Sequence, residues 1–301
     1  MRASFAGGAK TFSPSLEYQL IYLTVVSDTV SLPNDLHVQN WAELQEALFH
    51  DAYEEKLRRY RSPYVYRGLG QARYDLKTSL MRLGGNYGEV ERHLIRNFRK
   101  YAKRITSLGN IDSFWDTLAI AQHFGLPTRL LDWTYSPYVA LHFATAKLTQ
   151  FEQDGIIWAV NHEKVIDFLP DALKERLREE GSNKFTTDLL NPVCNSWRDF
   201  DTLQEERFVI FFEPPSFDDR IVNQFALFSA MSDVHGLLNE WLTQHPDLYF
   251  RIIIPAALKW EVRDKLDQAN INERVLFPGL EGLSSWLKRH YSPRYPGQEE
   301  C

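Results

Sequence analysis

The hydrophobic and polar positions change period along the chain, and each change marks an element. In "NDLHVQNWAELQEALFHDAY" (34–53), Trp41, Leu44, Leu48 and Tyr53 recur at three- to five-residue steps, which predicts an amphipathic helix. "PYVYRGL" (Pro63–Leu69) is rich in β-branched and aromatic residues and is stopped by Gly68 and Gly70, so it reads as a strand. A helical pattern follows in "EVERHLIRNFRKYAKRI" (Glu89–Ile105), and another in "DSFWDTLAIAQHFG". The second has Asp112 or Ser113 as N-cap, Phe114, Leu118 and Ala121 as its apolar stripe, and Gly125 just past its end. "TYSPYVALHFATAKL" opens with Ser136 as N-cap and Pro137 at the first helical position, and Val139, Ala140, Phe143, Ala144 and Leu148 are expected to face inward.

In the second half, "GIIWAVN" (Gly155–Asn161), "ERFVIFFEPP" (Glu206–Pro215) and "DLYFRIIIPAAL" are continuous apolar runs of strand length. "EKVIDFLPDALKERLREEGSNKFTTDLL" reads as a charged peripheral helix with a loop. In "RIVNQFALFSAM" the apolar residues are interrupted by Asn223 and Gln224; read as a strand, it puts Arg220 and Gln224 on one face. A helix, "KWEVRDKLDQANI", and a compact unit, "VLFPGLEGLSSWLKRHY", close the chain. Helices and strands alternate irregularly and no Gly-rich phosphate loop is present, so an α+β fold is expected over a doubly wound parallel sheet. The expected organisation is an N-terminal extension (1–36), one domain (37–291) and a C-terminal tail (292–301).

Composition narrows the class. Of 301 residues 44% are hydrophobic and 14% aromatic, enough for a sizeable core. No apolar run reaches the roughly 18 residues that a membrane span needs. The apolar stretch Tyr18–Val26 follows Glu17 and lacks a small-residue cleavage site, so no secretory signal and a cytoplasmic location are expected. Two cysteines, Cys194 and Cys301, cannot make a zinc site between them, and a disulfide is disfavoured by the polar tail that carries Cys301. A formal net charge of −6 argues against nucleic-acid binding through a global basic surface. It leaves room for a local patch, densest at Arg92, Arg96, Arg99, Lys100, Lys103 and Arg104, whose plain reading is a solvated helix face.

The common catalytic signatures are absent: no G-x-S-x-G, H-E-x-x-H, Walker loop or C-x-x-C. What stands out is polarity set into apolar elements. Arg67 ends a strand, where a guanidinium needs a partner: Asp75, Asp132 or a strand carbonyl if structural, an anion if functional. Gln122 and His123 end one helix, and Arg129 and Asp132 follow the turn at Pro127. Taken singly, Arg129 and Asp132 read as a buried pair and His123 as a cap on its own helix. Taken together they form a network that costs stability unless fully satisfied, which proteins tolerate mainly at sites. Thr134 and Ser136 add hydroxyls at a helix N-terminus, an end suited to anions.

The segments "YVYRGLGQARYDLKTSLMR", "AIAQHFGLPTRLLDWTYSPYVALHFA", "RIVNQFALF" and "VLFPGLEGL" together resemble the FRG domain, named for a Phe-Arg-Gly signature in which Tyr66 here replaces Phe. The resemblance runs over roughly residues 40–290 and implies a bacterial protein of stress or phage-defence settings. More distantly, a strand-borne Arg, then Thr-x-Ser-x-x-x-Ala-x-x-Phe-Ala, then a late polar residue is similar to the Arg–Ser–Glu layout of ADP-ribosyltransferases. That resemblance implies a split mixed or antiparallel sheet ringed by helices, with NAD as substrate. By matching, NAD-holding roles fall on Arg67, Thr134 and Ser136, and the ribose-engaging role falls on Gln224, an amide where a Glu is expected. A missing negative charge would come from Asp132, Glu213 or Glu206, in that order. The candidate catalytic residues are therefore Arg67, Gln224, Asp132 and His123, and the candidate binding residues Arg67, Gly68, Gln122, His123, Arg129, Thr134 and Ser136, with no metal. The expected function is NAD-dependent ADP-ribosyl transfer or NAD hydrolysis by a toxin or effector in bacterial stress or anti-phage defence. Its partners would be NAD, a protein or nucleic-acid acceptor and a defence-system protein. The alternatives are a non-catalytic nucleotide sensor and an interaction protein whose polar cluster is a satisfied corner.

Overall fold

Strands form where apolar residues run together, and the longest runs sit innermost. The computed structural model describes residues 32–102 and 113–294. Its strands are β1 (Asp35–His37), β2 (Tyr53–Glu54), β3 (Arg59–Tyr60), β4 (Tyr64–Leu69), β5 (Leu131–Thr134), β6 (Gly155–Asn161), β7 (Phe185–Thr186), β8 (Val209–Glu213), β9 (Ala226–Met231) and β10 (Tyr249–Ile254). Eight of them make one mixed sheet in the order β1-β10-β6-β4-β5-β9-β8-β7, and β2 and β3 form a separate hairpin. β6 and β10 are buried along their whole length, as continuous "GIIWAVN" and "YFRIII" require when both sheet faces are covered. The outermost pairs, β1–β10 and β7–β8, are parallel, and the pairs between them are antiparallel.

Side chains alternate across the strands, so each face has its own core. On one face Val65, Trp133, Trp158, Phe211, Leu227 and Ile253 belong to a cluster that spans the sheet. The other face is divided. Tyr66, Ile157, Ala159 and Ile252 pack with the helices Trp41–Leu48, Pro137–Ala144 and Lys259–Gln268. Ile210, Phe212, Phe228 and Ala230 pack with the helices Phe114–His123 and Asp171–Glu180. The boundary between these two cores falls between β4 and β5.

The observed elements follow the pattern with instructive departures. Ser113 and Ser136 cap their helices as expected, with Pro137 at the first helical position. Asp112 and most of the extension (1–31) lie outside the described residues, but Asp35–His37 within the expected extension and its border is a strand parallel to β10. The helix expected over 34–53 is confined to Trp41–Leu48. The segment expected as a charged peripheral helix breaks into several short elements, and Leu173, Leu177, Phe185 and Leu190 in it are buried against Trp115 and Phe212. "RIVNQFALF" is not one strand. Asp218 caps a helix, Asp219–Gln224; Phe225 takes a left-handed backbone (φ 49°), and only then does β9 begin. Arg220 and Gln224 therefore sit one helical turn apart. Cys301 lies outside the described residues; Cys194 is buried, which pushes its thiol up to about 12. No described helix is long and apolar enough to cross a membrane.

A cationic network fixes the helix Pro137–Ala144 from behind. His142 is fully buried and its Nδ1 accepts from Arg263 Nη1 at 2.9 Å. Arg289 bridges Glu273 and Asp267, holding the helix Leu280–His290 against the same unit. Burial keeps His142 neutral, lowering it to about 3, and His162 likewise, to about 4. Protons then bind the unfolded chain more readily than the folded one below the ordinary histidine pKa of about 6.5, so folding is weakened as pH falls through that range. The urea midpoint is expected to drop steadily between about pH 6.5 and 4, and His162→Asn, which removes one such group, is expected to flatten the slope; an unchanged slope would refute the assignment.

Candidate functional site

The opening in the sheet follows from one short pairing. β4 pairs with β6 through six residues and β5 with β9 through four, yet β4 and β5 meet at a single register pair, Tyr66–Thr134. Beyond it the strands part. The Arg67 side chain crosses the gap, and its Nη1 donates to the Asp132 carbonyl at 2.5 Å, where a continuous ladder would have placed a backbone N–H. The gap opens into a cavity of about 510 Å³ lined by residues of β4, β5 and the helices Phe114–His123, Pro137–Ala144 and Asp219–Gln224.

Arg67 is only 15% exposed, and its Nε finds no hydrogen-bond partner among the described residues. Its nearest carboxylate oxygen, on Asp132, is 3.8 Å away. Arg220 enters the cavity from the opposite side with its guanidinium 4.9 Å from the Phe277 ring, and its Nε is also unpartnered. Two guanidiniums with idle donors in one cavity have the chemistry to hold an anion. The Asp132 carboxylate is 60% exposed, and both its oxygens accept from Gln122 Nε2, at 3.1 and 3.0 Å, while Gln122 Oε1 accepts from Thr128 at 2.6 Å. Gln122 is thus locked in one orientation, presenting its amide to Asp132.

His123 does not cap its own helix. Its Nε2 lies 2.5 Å from Asp218 Oδ2, while Asp218 Oδ1 caps the helix Asp219–Gln224. Phe124 and Phe217 pack edge-on against its ring. Burial lowers its pKa, with Asp218 opposing, so the ring is neutral near neutral pH. A carboxylate only accepts, so Nε2 carries the proton and Nδ1 is the base. Gly125, at φ 80°, makes the left-handed turn that ends this helix beside the cavity.

Six of the nominated residues line the cavity with Arg67: Gly68, Gln122, His123, Asp132, Thr134 and Gln224. Two of these are partly committed to structure. Thr134 Oγ1 donates to the Gln224 carbonyl at 2.7 Å and accepts from Ser136 N, and Gln224 Nε2 donates to the Leu276 carbonyl at 2.9 Å. Gly68 lines the cavity too, but its own task is packing: a Cβ there would stand 1.8 Å from the Ala140 carbonyl oxygen. Arg129 and Ser136 are placed elsewhere. Arg129 is not the partner of Asp132; it is 5% exposed, held by Glu91 and Asp201, and stacked on Trp197 at 3.8 Å. Arg129 precedes β5 and reaches Glu91 and Asp201, whereas Asp132 within β5 meets Gln122, so a separation of three residues does not make a pair. Ser136 accepts from Val139 N and serves its helix. Of the other acids, Glu213 accepts from Tyr135, and Glu206 lines a separate cavity beside Trp241. Asp218, which orients His123, was not nominated; its only mark in the sequence is a capping position before a helix that read as strand.

Residues 62–153 match the family model of the FRG domain. The FRG match covers β4, β5 and two of the helices that frame the cavity, Phe114–His123 and Pro137–Ala144, and ends before β6, so Arg220, Gln224 and the closing unit lie beyond it. No curated protein and no solved structure matches the chain.

The contrast between the two arginines is measurable. Arg129→Met strands Glu91, which is 1% exposed, and is expected to cost about 3–5 kcal/mol in chemical denaturation. Arg67→Met replaces an under-partnered charge, leaves Asp132 to Gln122 and solvent, and is expected to change stability by less than about 1 kcal/mol. Gly68→Ala forces a backbone collision and is expected to cost about 3 kcal/mol or to prevent folding; a wild-type midpoint for it would show that the helix Pro137–Ala144 is not seated as described.

Proposed function

We propose that the cavity binds a dinucleotide and that the protein cleaves NAD at its nicotinamide–ribose bond, passing ADP-ribose to a macromolecular acceptor or to water. The observation that carries this reading is the pair of guanidiniums, Arg67 and Arg220, with unpartnered Nε atoms in one cavity of about 510 Å³. Those donors suit a diphosphate. In the reaction the C1′–N bond breaks, nicotinamide leaves with the bonding electrons as a neutral base, and positive charge develops on the ribose. The exposed Asp132 carboxylate is the negative group placed to meet that charge, held in position by Gln122. The nucleophile loses its proton as it bonds to C1′, and the neutral His123, oriented by Asp218, is the base suited to take it. An FRG-domain protein acting this way would serve as a toxin or effector in bacterial stress or phage defence.

A second reading, a nucleotide sensor without turnover, is favoured by one feature. Gln224 stands where a carboxylate is expected, and its amide nitrogen is already bonded to Leu276. Isothermal titration and release of nicotinamide from labelled NAD separate the two. Turnover is expected in the wild type, with Asp132→Asn retaining NAD affinity within about threefold and losing turnover by about 100-fold or more. Arg67→Met and Arg220→Met together are expected to abolish binding. Binding without nicotinamide release leaves the sensor reading, and no saturable binding refutes both.

A further inference from the structure

We propose that a second groove, between the helices Tyr87–Ala102 and Trp197–Asp201, is a binding site for single-stranded nucleic acid. The groove encloses about 610 Å³, and its described lining carries five cations, Arg92, Arg96, Arg99, Lys100 and Arg198, and no acid. Arg92, Arg96 and Lys100 are exposed and four residues apart, so they stand in a row on one helix face that spans roughly 12 Å. Like charges at that spacing repel and weaken the helix that carries them, a cost that a bound polyanion would relieve. Of the acids on the helices around the groove, Glu91 and Asp201 pair with Arg129, and Asp116 and Asp199 accept from the capping hydroxyls of Ser113 and Ser196.

The floor of the groove supplies the second half of the argument. Phe114 and Trp197 line it; Trp197 is 4% exposed, yet its Nε1 has no partner among the described residues, so an indole donor stands unused there. Tyr101, outside the groove's lining but on the same helix, is 63% exposed, and Lys100 Nζ sits over one face of its ring at 5.4 Å, which leaves the other face for a base. A row of cations beside aromatic faces is the arrangement that tracks a flexible phosphodiester strand. A bilayer would need apolar side chains projecting beyond the cations, whereas Phe114 and Trp197 lie beneath them. The overall negative charge confines this attraction to the groove.

The site stands independently of the NAD reading, although one helix links the two: Phe114 at its start lines the groove, and Gln122 and His123 at its end line the cavity, about 12–14 Å away. Fluorescence anisotropy of the full chain with labelled 12-mers of deoxythymidine and of uridine tests it, without NAD. Saturable binding is expected, with a log–log salt slope of about −3 for four to five contacts. Arg96→Glu with Lys100→Glu should weaken binding at least tenfold and reduce the slope, and Tyr101→Ala should weaken it several-fold. Arg176→Glu with Arg178→Glu makes the same charge change elsewhere and should bind as the wild type. Thermal midpoints of all variants serve as the folding check, since every substituted residue in them lies on a helix surface. Four outcomes would overturn the proposal: no saturation at 50 mM salt, no effect of the groove reversal, an equal loss from the control reversal, or binding to phosphatidylserine vesicles with none to either oligonucleotide.

Discussion

The site depends on a ladder that stops. β4 and β5 share one register pair, and past Tyr66 and Thr134 the two strands separate. An interrupted ladder leaves backbone groups without partners, and Arg67 answers that need by donating to the Asp132 carbonyl. The same side chain thereby closes the floor of the gap and keeps its remaining donors turned to the cavity. Had the pairing continued, Asp132 would have bonded across to β4 and no cavity would exist at this point of the sheet. Gly68 makes the opening compatible with close packing, because only its missing Cβ lets the helix Pro137–Ala144 lie directly on β4.

Around that gap the protein uses charge in two distinct ways. Arg129 is saturated by Glu91 and Asp201 and by stacking on Trp197, and it joins three elements of the second core. Arg289, Glu273 and Asp267 do the same behind the helix Pro137–Ala144, where Arg263 donates to His142 but keeps its Nε and Nη2 without hydrogen-bond partners. Each network is dense in partners, and the acid in the second is held low, Glu273 at about 2, chiefly by Arg289 against the opposing effect of burial. Arg67 and Arg220 differ from Arg129 because each keeps an idle Nε on the wall of an open cavity, whereas the idle Nε of Arg263 is sealed behind the helix Pro137–Ala144. Buried charge that is fully bonded locks a fold, and idle donors that line an open cavity are free to meet a ligand; the distinction lies in the hydrogen bonds and the opening rather than in the residue type.

This distinction also orders the chemistry proposed for the cavity. Arginine donors to hold a diphosphate, a carboxylate fixed by an amide, and a histidine fixed by a second carboxylate stand on elements from both halves of the divided face. The closing unit holds the last of them, since Leu276 and Val275 accept from Gln224 and Asn223 and so anchor the helix that carries Arg220. The cavity is thus assembled from distant parts of the chain and fixed by contacts that have no chemistry of their own.

Much of the fold was legible in the sequence. "GIIWAVN" and "YFRIII" had to be inner strands, and Ser113, Ser136 and Pro137 set helix starts, because burial of apolar runs and the capping of free N–H groups are local constraints. The segment from Gln122 to Thr134 could be singled out for its polarity, and Arg67 with it. The partners could not. Arg129 and Asp132 are three residues apart but meet different networks, because Arg129 precedes the four-residue strand β5 and Asp132 lies within it, and their partners Glu91, Asp201 and Gln122 stand on three separate helices. "RIVNQFALF" read as one strand because its apolar spacing fits either element, and the Asp218 cap and the left-handed Phe225 decided otherwise. The sequence by itself determined the innermost apolar strands and the capped starts of the helices Phe114–His123 and Pro137–Ala144. Only the tertiary structure decided which buried charges are satisfied, since a hydrogen-bond partner for Arg67 or His123 comes from 65 or 95 residues away and no local pattern encodes it.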